Sequence, residues 1–170
     1  MSATPKAISS LIPKLSSGKG GVSLSSEKLL QERLKGKRVA LYFSAGWCPM
    51  CTSFEPALLQ FQQEQANINK PIELVYVASD RSESDAVTRA TQLNNMLSIP
   101  FHDTADYKKK FKVWAGSECT EFGTARRSGI PALVVLDNKE GEELEFLAAE
   151  SEGVKALQNW PLDDEANGIW

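Results

Sequence analysis

The chain is poor in cysteine, with three in 170 residues, and it has a single histidine, His102. A small secreted domain held together by disulfides uses more cysteines, in even number. A zinc site wants about four Cys, His or carboxylate ligands. Outside the pair Cys48 and Cys51 only His102 and Cys119 remain as soft ligands, without paired spacing, so no metal is expected. No apolar run approaches the roughly 20 residues that cross a bilayer. The N-terminus, Met1 to Lys6, lacks the apolar core of a signal peptide. No membrane partner is expected, and the expected location is intracellular: cytoplasm or nucleus, or an organelle if a transit peptide has been removed. Charge of one sign is also missing. The formal net charge is -3 with both signs interspersed, which argues against an electrostatic nucleic-acid binder. No internal repeat is visible. A hydrophobic fraction of 42% over this length suits one domain with a core of its own, spanning 1–170 with its centre at about 14–161.

What is present is organised around Trp47-Cys48-Pro49-Met50-Cys51. A hydrophobic run, Val39 to Phe43, precedes it and an amphipathic stretch, Phe54 to Phe61, follows. Strand, tight turn and helix would put Cys48 at a helix N-terminus, where free backbone N–H groups and the helix dipole favour a thiolate. Two thiols two residues apart can also close on each other. The expectation is a dithiol–disulfide redox pair.

Taken in order, 7–15 and the segment after Ser26 read as helices, and Val22 with Leu24 as a short strand. Arg38 to Ser44 is the central-strand candidate. The helix after Cys48 carries Phe54, Leu58, Leu59 and Phe61 on its apolar side, with Pro56 expected to kink it and Glu55 expected in solvent. Ile72 to Ala78 is a second buried strand. Ser82 caps a helix expected to reach about Leu97. Ile99 to Phe101 is expected to be extended. Tyr107, Phe111 and Trp114 suggest another short helix, and Ala115 to Gly123 a loop. Ile130 to Leu136 and Glu143 to Leu147 read as a hairpin, and Glu152 to Trp160 as a closing helix. The alternation predicts an α/β fold: a central mixed β-sheet with helices on both faces, parallel at one end and antiparallel at the other.

This order, the C-x-x-C after the first buried strand and the Ile130-Pro131 before the hairpin together resemble the thioredoxin-like three-layer fold. Tyr42 to Cys51, Phe54 to Pro56, Val75 to Ser82, Ile99 to Phe101 and Gly129 to Leu133 narrow the likeness to the tryparedoxin and nucleoredoxin branch. The resemblance implies a thiol–disulfide oxidoreductase that reduces protein disulfides without a cofactor. Cys48 is then the attacking thiolate, Cys51 the resolving thiol and Trp47 a flank of the site. Pro49 and Met50 complete the substrate-facing rim. Pro131 is expected to be cis and to face the disulfide, with the Ile130 backbone pairing an extended substrate; an ordinary trans proline opening a strand is the plainer alternative. Electrons would come from an upstream reductase or a low-molecular-weight thiol.

The chain departs from the branch at several positions. Met50 replaces a second proline and adds apolar, polarisable surface beside the sulfurs. Thr52 replaces a basic residue. Tyr42 stands where thioredoxins proper carry a buried acid, so no buried carboxylate is assigned as proton acceptor. Ser79 and Arg81 replace the aromatic and acid that would hold a polyamine thiol. The segment Gly116 to Arg127 reads as an insertion that brings Cys119, Arg126 and Arg127 to the border of the active face. Cys119 is a candidate regulatory thiol, and a monomer is expected unless Cys119 links two chains. A redox-sensitive binding module with little turnover, in the nucleoredoxin manner, is the alternative function.

Overall fold

The computed structural model describes residues 32–137 and 141–162. The expected helix at 7–15, the strand at 22–24, the start of the helix after Ser26 and the tail from 163 lie outside them. The chain is helical at 32–34, where Leu34 is buried.

The sheet is built on β1 (Arg38–Ser44). β1 lies parallel to β2 (Ile72–Ala78) and antiparallel to β4 (Ala132–Leu136). The two-residue β3 (Leu97–Ser98) extends β2 in parallel, and β5 (Glu143–Leu147) returns antiparallel on β4. The spatial order is β3-β2-β1-β4-β5. Every residue of β1 and β2 is buried, as near-continuous apolar strands require when both faces are covered.

Strand alternation divides the core between two faces. Ala40, Tyr42, Leu74 and Tyr76 pack with Phe54 and Leu58 of α1 (Pro49–Asn67), with Ala86 and Ala90 of α2 (Glu83–Gln92), and with Trp160. Leu41, Phe43, Val75 and Val77 face the other way, against Tyr107 and Phe111 of α3 (Thr104–Phe111). These are the three layers expected from the sequence. The C-terminal ends of β1 and β2 and the N-terminal end of β4 meet at one edge, and the cysteine pair sits there.

The elements differ from the sequence reading at several ends, each for a local reason. α2 stops at Gln92, short of Leu97, because Asn94 and Asn95 take positive φ of 57° and 53°. Asparagine tolerates that region, and the reversal frees Leu97 to join the sheet. Phe101 opens a single 3-10 turn, Phe101–Asp103, where extended chain was expected. Trp114 lies beyond α3, which ends on the left-handed Lys112. The expected loop after Ala115 holds a 3-10 turn, Gly116–Glu118, and then α4 (Cys119–Phe122). The closing helix is split: α5 (Ala149–Glu152) ends where Gly153 turns to a φ of 59°, and a 3-10 segment, Gly153–Asn159, leads to Trp160.

Candidate active site

Cys48 is the N-cap of α1 and Pro49 occupies its first turn. Proline is tolerated there because its missing N–H has no intrahelical partner in any case. The Cys48 Sγ accepts the Cys51 backbone N–H at 3.2 Å, so a sulfur stands where a serine or aspartate oxygen usually caps. No acidic residue occupies the first turn of α1, so nothing opposes the positive end of the helix dipole. Both cysteines are free thiols.

The two thiols differ in access. Cys48 keeps 6% of its surface exposed while Cys51 keeps none. Pro49 is exposed, and Trp47 (38%) and Met50 (52%) stand out as exposed large apolar side chains around Cys48. Burial pushes the Cys51 thiol up to about 12; its hydrogen bond with Cys48 adds to the rise, and bonds with the Ser44 side chain and the Ala45 backbone oppose it. Cys51 is therefore a thiol at neutral pH, one turn below an accessible partner.

Neighbouring elements hold the rim. The Trp47 indole N–H donates to the Ser79 carbonyl at 2.9 Å, and the Arg81 guanidinium lies over its ring at 5.4 Å. Asp80 fixes the turn before the cysteines: one oxygen accepts the Gly46 N–H at 2.8 Å and the other the Tyr76 hydroxyl at 2.5 Å. Across the edge, Ile130 and Pro131 are buried and the bond between them is cis. Ile130 packs in the same apolar cluster as Cys48 and Cys51. Arg126 and Glu150 pair over Gly129, where a Cβ would collide with both.

The insertion borders the site through a residue the sequence reading passed over. Glu118 accepts the Ala115 N–H, the Ser79 hydroxyl and the Lys108 ammonium, at 2.9, 2.8 and 2.5 Å. It thus ties the insertion to the residue whose carbonyl holds Trp47. Cys119 follows it, half-buried at the start of α4. Arg127 is not at the active face. It forms a bidentate pair with Glu143, which is in register with Leu136 at the end of β4 away from Pro131.

The largest correction concerns Glu55, expected in solvent and in fact 2% exposed. Its Oε1 accepts the Tyr42 hydroxyl at 3.1 Å and the Ser44 hydroxyl at 3.0 Å, and its Oε2 pairs with Arg89. The signal was helical spacing: Glu55 is four residues after Cys51 and three before Leu58, between two buried positions of one face. Tyr42 and Ser44, two apart on β1, point at that face.

A mixed sheet of this order with a C-x-x-C at the first turn of α1, opposite a cis proline before β4, defines the class: a thioredoxin fold with a dithiol site. Residues 36–143 match the family model described as thioredoxin-like, and the chain belongs to that family. It is 36% identical over 111 residues to probable nucleoredoxin 1 of Arabidopsis thaliana, covering 64% of this chain and 17% of that protein. It is 45% identical over 71 residues to tryparedoxin of Trypanosoma brucei brucei, covering 42% of this chain and 44% of that protein. The solved tryparedoxin II of C. fasciculata superposes with a TM-score of 0.60 at 26% identity, covering 90% of each chain. The chain spans less than half the length of these two curated relatives. Among the described residues, no helix is long and apolar enough to cross a membrane.

Proposed function

We propose that the chain is a thiol–disulfide oxidoreductase that reduces protein disulfides on a single thioredoxin-like domain. The observation that carries this is the inequality of the two thiols: Cys48 caps α1 within reach of solvent, and Cys51 is fully buried one turn in. Cys48, as thiolate, attacks a substrate sulfur, and the far sulfur of the substrate leaves with the electron pair. Cys51 then attacks Cys48, closes the Cys48–Cys51 disulfide and expels the second substrate thiolate. Trp47, Pro49 and Met50 form the rim that the substrate meets, and the Ile130 backbone beside Pro131 pairs its extended segment. No metal or organic cofactor takes part. An upstream reductase or a low-molecular-weight thiol returns the two electrons.

A second reading, a redox-sensitive binding module, draws on the apolar surface beside the site. Met50 and Val154, 52% and 54% exposed, line a groove of about 360 Å³ with Pro49 and Phe54. A partner that stays bound after both Cys48 and Cys51 are replaced would favour this reading. The reduction potential tests the first. Equilibration with a dithiol buffer should give a value near that of thioredoxin, about −270 mV, whereas one near about −120 mV would make the protein an oxidant.

A further inference from the structure

We infer that Glu118 is a positioning residue for substrate: through Ser79 it fixes the indole of Trp47 at the rim of the Cys48 site. The inference rests on the exchange reading above and names what holds the flank which that reading gives to Trp47.

Trp47 needs holding. It is 38% exposed, and exposed side chains change rotamer on the picosecond-to-nanosecond scale. It lines an open cleft of about 330 Å³ with Gly46, Asp80, Arg81 and Arg89, so there is room for the indole to turn. The Ser79 carbonyl takes the indole N–H at 2.9 Å, and the Arg81 guanidinium lies over the ring. Arg81 is itself exposed, so the directional hold falls to the carbonyl.

That carbonyl is aimed from two sides. Ser79 lies one residue beyond β2, past the last pair of the β1–β2 ladder, Ser44 with Ala78. Its N–H donates to the Ser44 carbonyl at 2.8 Å, and its hydroxyl donates to Glu118 Oε2 at 2.8 Å. The sheet holds the backbone entering the residue and Glu118 holds its side chain, so the carbonyl keeps one direction. A carboxylate acceptor also makes a stronger bond to the serine than a neutral group would.

Glu118 is itself anchored. Its Oε2 also accepts the Ala115 N–H at 2.9 Å, and its Oε1 accepts the Lys108 ammonium at 2.5 Å. The Lys108 side chain is 5% exposed, and a buried ammonium demands a counter-charge. The turn that carries Glu118 runs into α4, where the Phe122 ring packs on Trp114 at 5.6 Å. The Trp114 indole N–H donates to the Gly123 carbonyl at 3.0 Å and closes that end. A chain of contacts therefore runs from α3 through Glu118 and Ser79 to Trp47. It gives the segment 116–127 a task at the site that does not involve Cys119.

The test measures attack alone. In the full chain carrying Cys51→Ser, the adduct on Cys48 accumulates, and digestion without reductant followed by mass gives its rate of formation. Two probes are compared: a peptide disulfide, long enough to lie on the rim, and hydroxyethyl disulfide, which has no chain to lie there. Glu118→Ala should slow attack on the peptide about fivefold, the scale of one net hydrogen bond, and leave attack on hydroxyethyl disulfide within about twofold. Ser79→Ala removes the hydroxyl and keeps the carbonyl. It should show the same split, and it keeps the test open if Glu118→Ala, with Lys108 left unpaired, folds poorly. In a Trp47→Ala background neither change should slow the peptide further, because both act through the indole. Equal slowing of both probes, further slowing without the indole, or unchanged rates in either folded variant overturns the role of Glu118 alone. If the Cys51→Ser chain forms no Cys48 adduct with either probe, the exchange reading falls and this inference falls with it.

Discussion

Cys48→Ser should lose disulfide reduction by on the order of a thousandfold or more, as removal of a nucleophile does elsewhere. The loss follows from position as much as from chemistry. A serine hydroxyl is not ionised at neutral pH and does not attack sulfur. Cys51 cannot stand in for it: Cys51 has no exposed surface, and burial keeps it protonated. Cys119 cannot stand in either, because it lies on a different element and has no second thiol beside it to resolve an adduct. The fold should survive, because a serine at this N-cap still accepts the Cys51 N–H that the sulfur accepts now. An unchanged rate of insulin-type disulfide reduction in a folded Cys48→Ser protein would remove the pair from the chemistry.

Glu55→Ala should destabilise the fold by about 3 kcal/mol, the scale of breaking a buried ion pair from one side. The carboxylate holds three partners from two elements: Tyr42 and Ser44 of β1 and Arg89 of α2. Removing it leaves a buried hydroxyl on Tyr42, which is 0% exposed, without its acceptor. It also leaves the guanidinium of Arg89, whose side chain is 19% exposed, without its counter-ion. Tyr42→Phe in the Glu55→Ala background should recover part of the loss by removing the orphaned hydroxyl. Urea unfolding at pH 7 measures both. A loss below about 1 kcal/mol for Glu55→Ala, the range of an exposed ion pair, would contradict the packing of this network.

The sheet was legible because its strands advertise themselves. Arg38–Ser44 and Ile72–Ala78 are short apolar runs bounded by turn residues, and both are buried throughout. The cysteine pair was legible for a similar reason, its spacing being chemistry written on the chain. The three-dimensional polar network was not. Tyr42, Ser44, Glu55 and Arg89 come from three elements, and no spacing in the sequence pairs them. A glutamate before a helix proline reads as solvated until its partners arrive from β1 and α2. Its place in the face of Cys51 and Leu58 was the signal to weigh. The short elements were missed because backbone reversal decided them: Asn94, Asn95, Lys112 and Gly153 take positive φ and cut apolar patterns that continue past them. Met96 and Leu97 continue the apolar spacing of α2, yet both lie beyond its end, Leu97 in β3. Glu118 escaped because its three partners, Ala115, Ser79 and Lys108, assemble only when the insertion folds onto the end of β2.

The division of labour between Cys48 and Cys51 is tested most directly by trapping the intermediate. Reduced Cys51→Ser protein, mixed with a peptide disulfide and digested without reductant, should carry one peptide per chain on Cys48, stable until a thiol is added. Turnover that continues in Cys51→Ser with no adduct on Cys48, or an adduct that maps to Cys119, would contradict it.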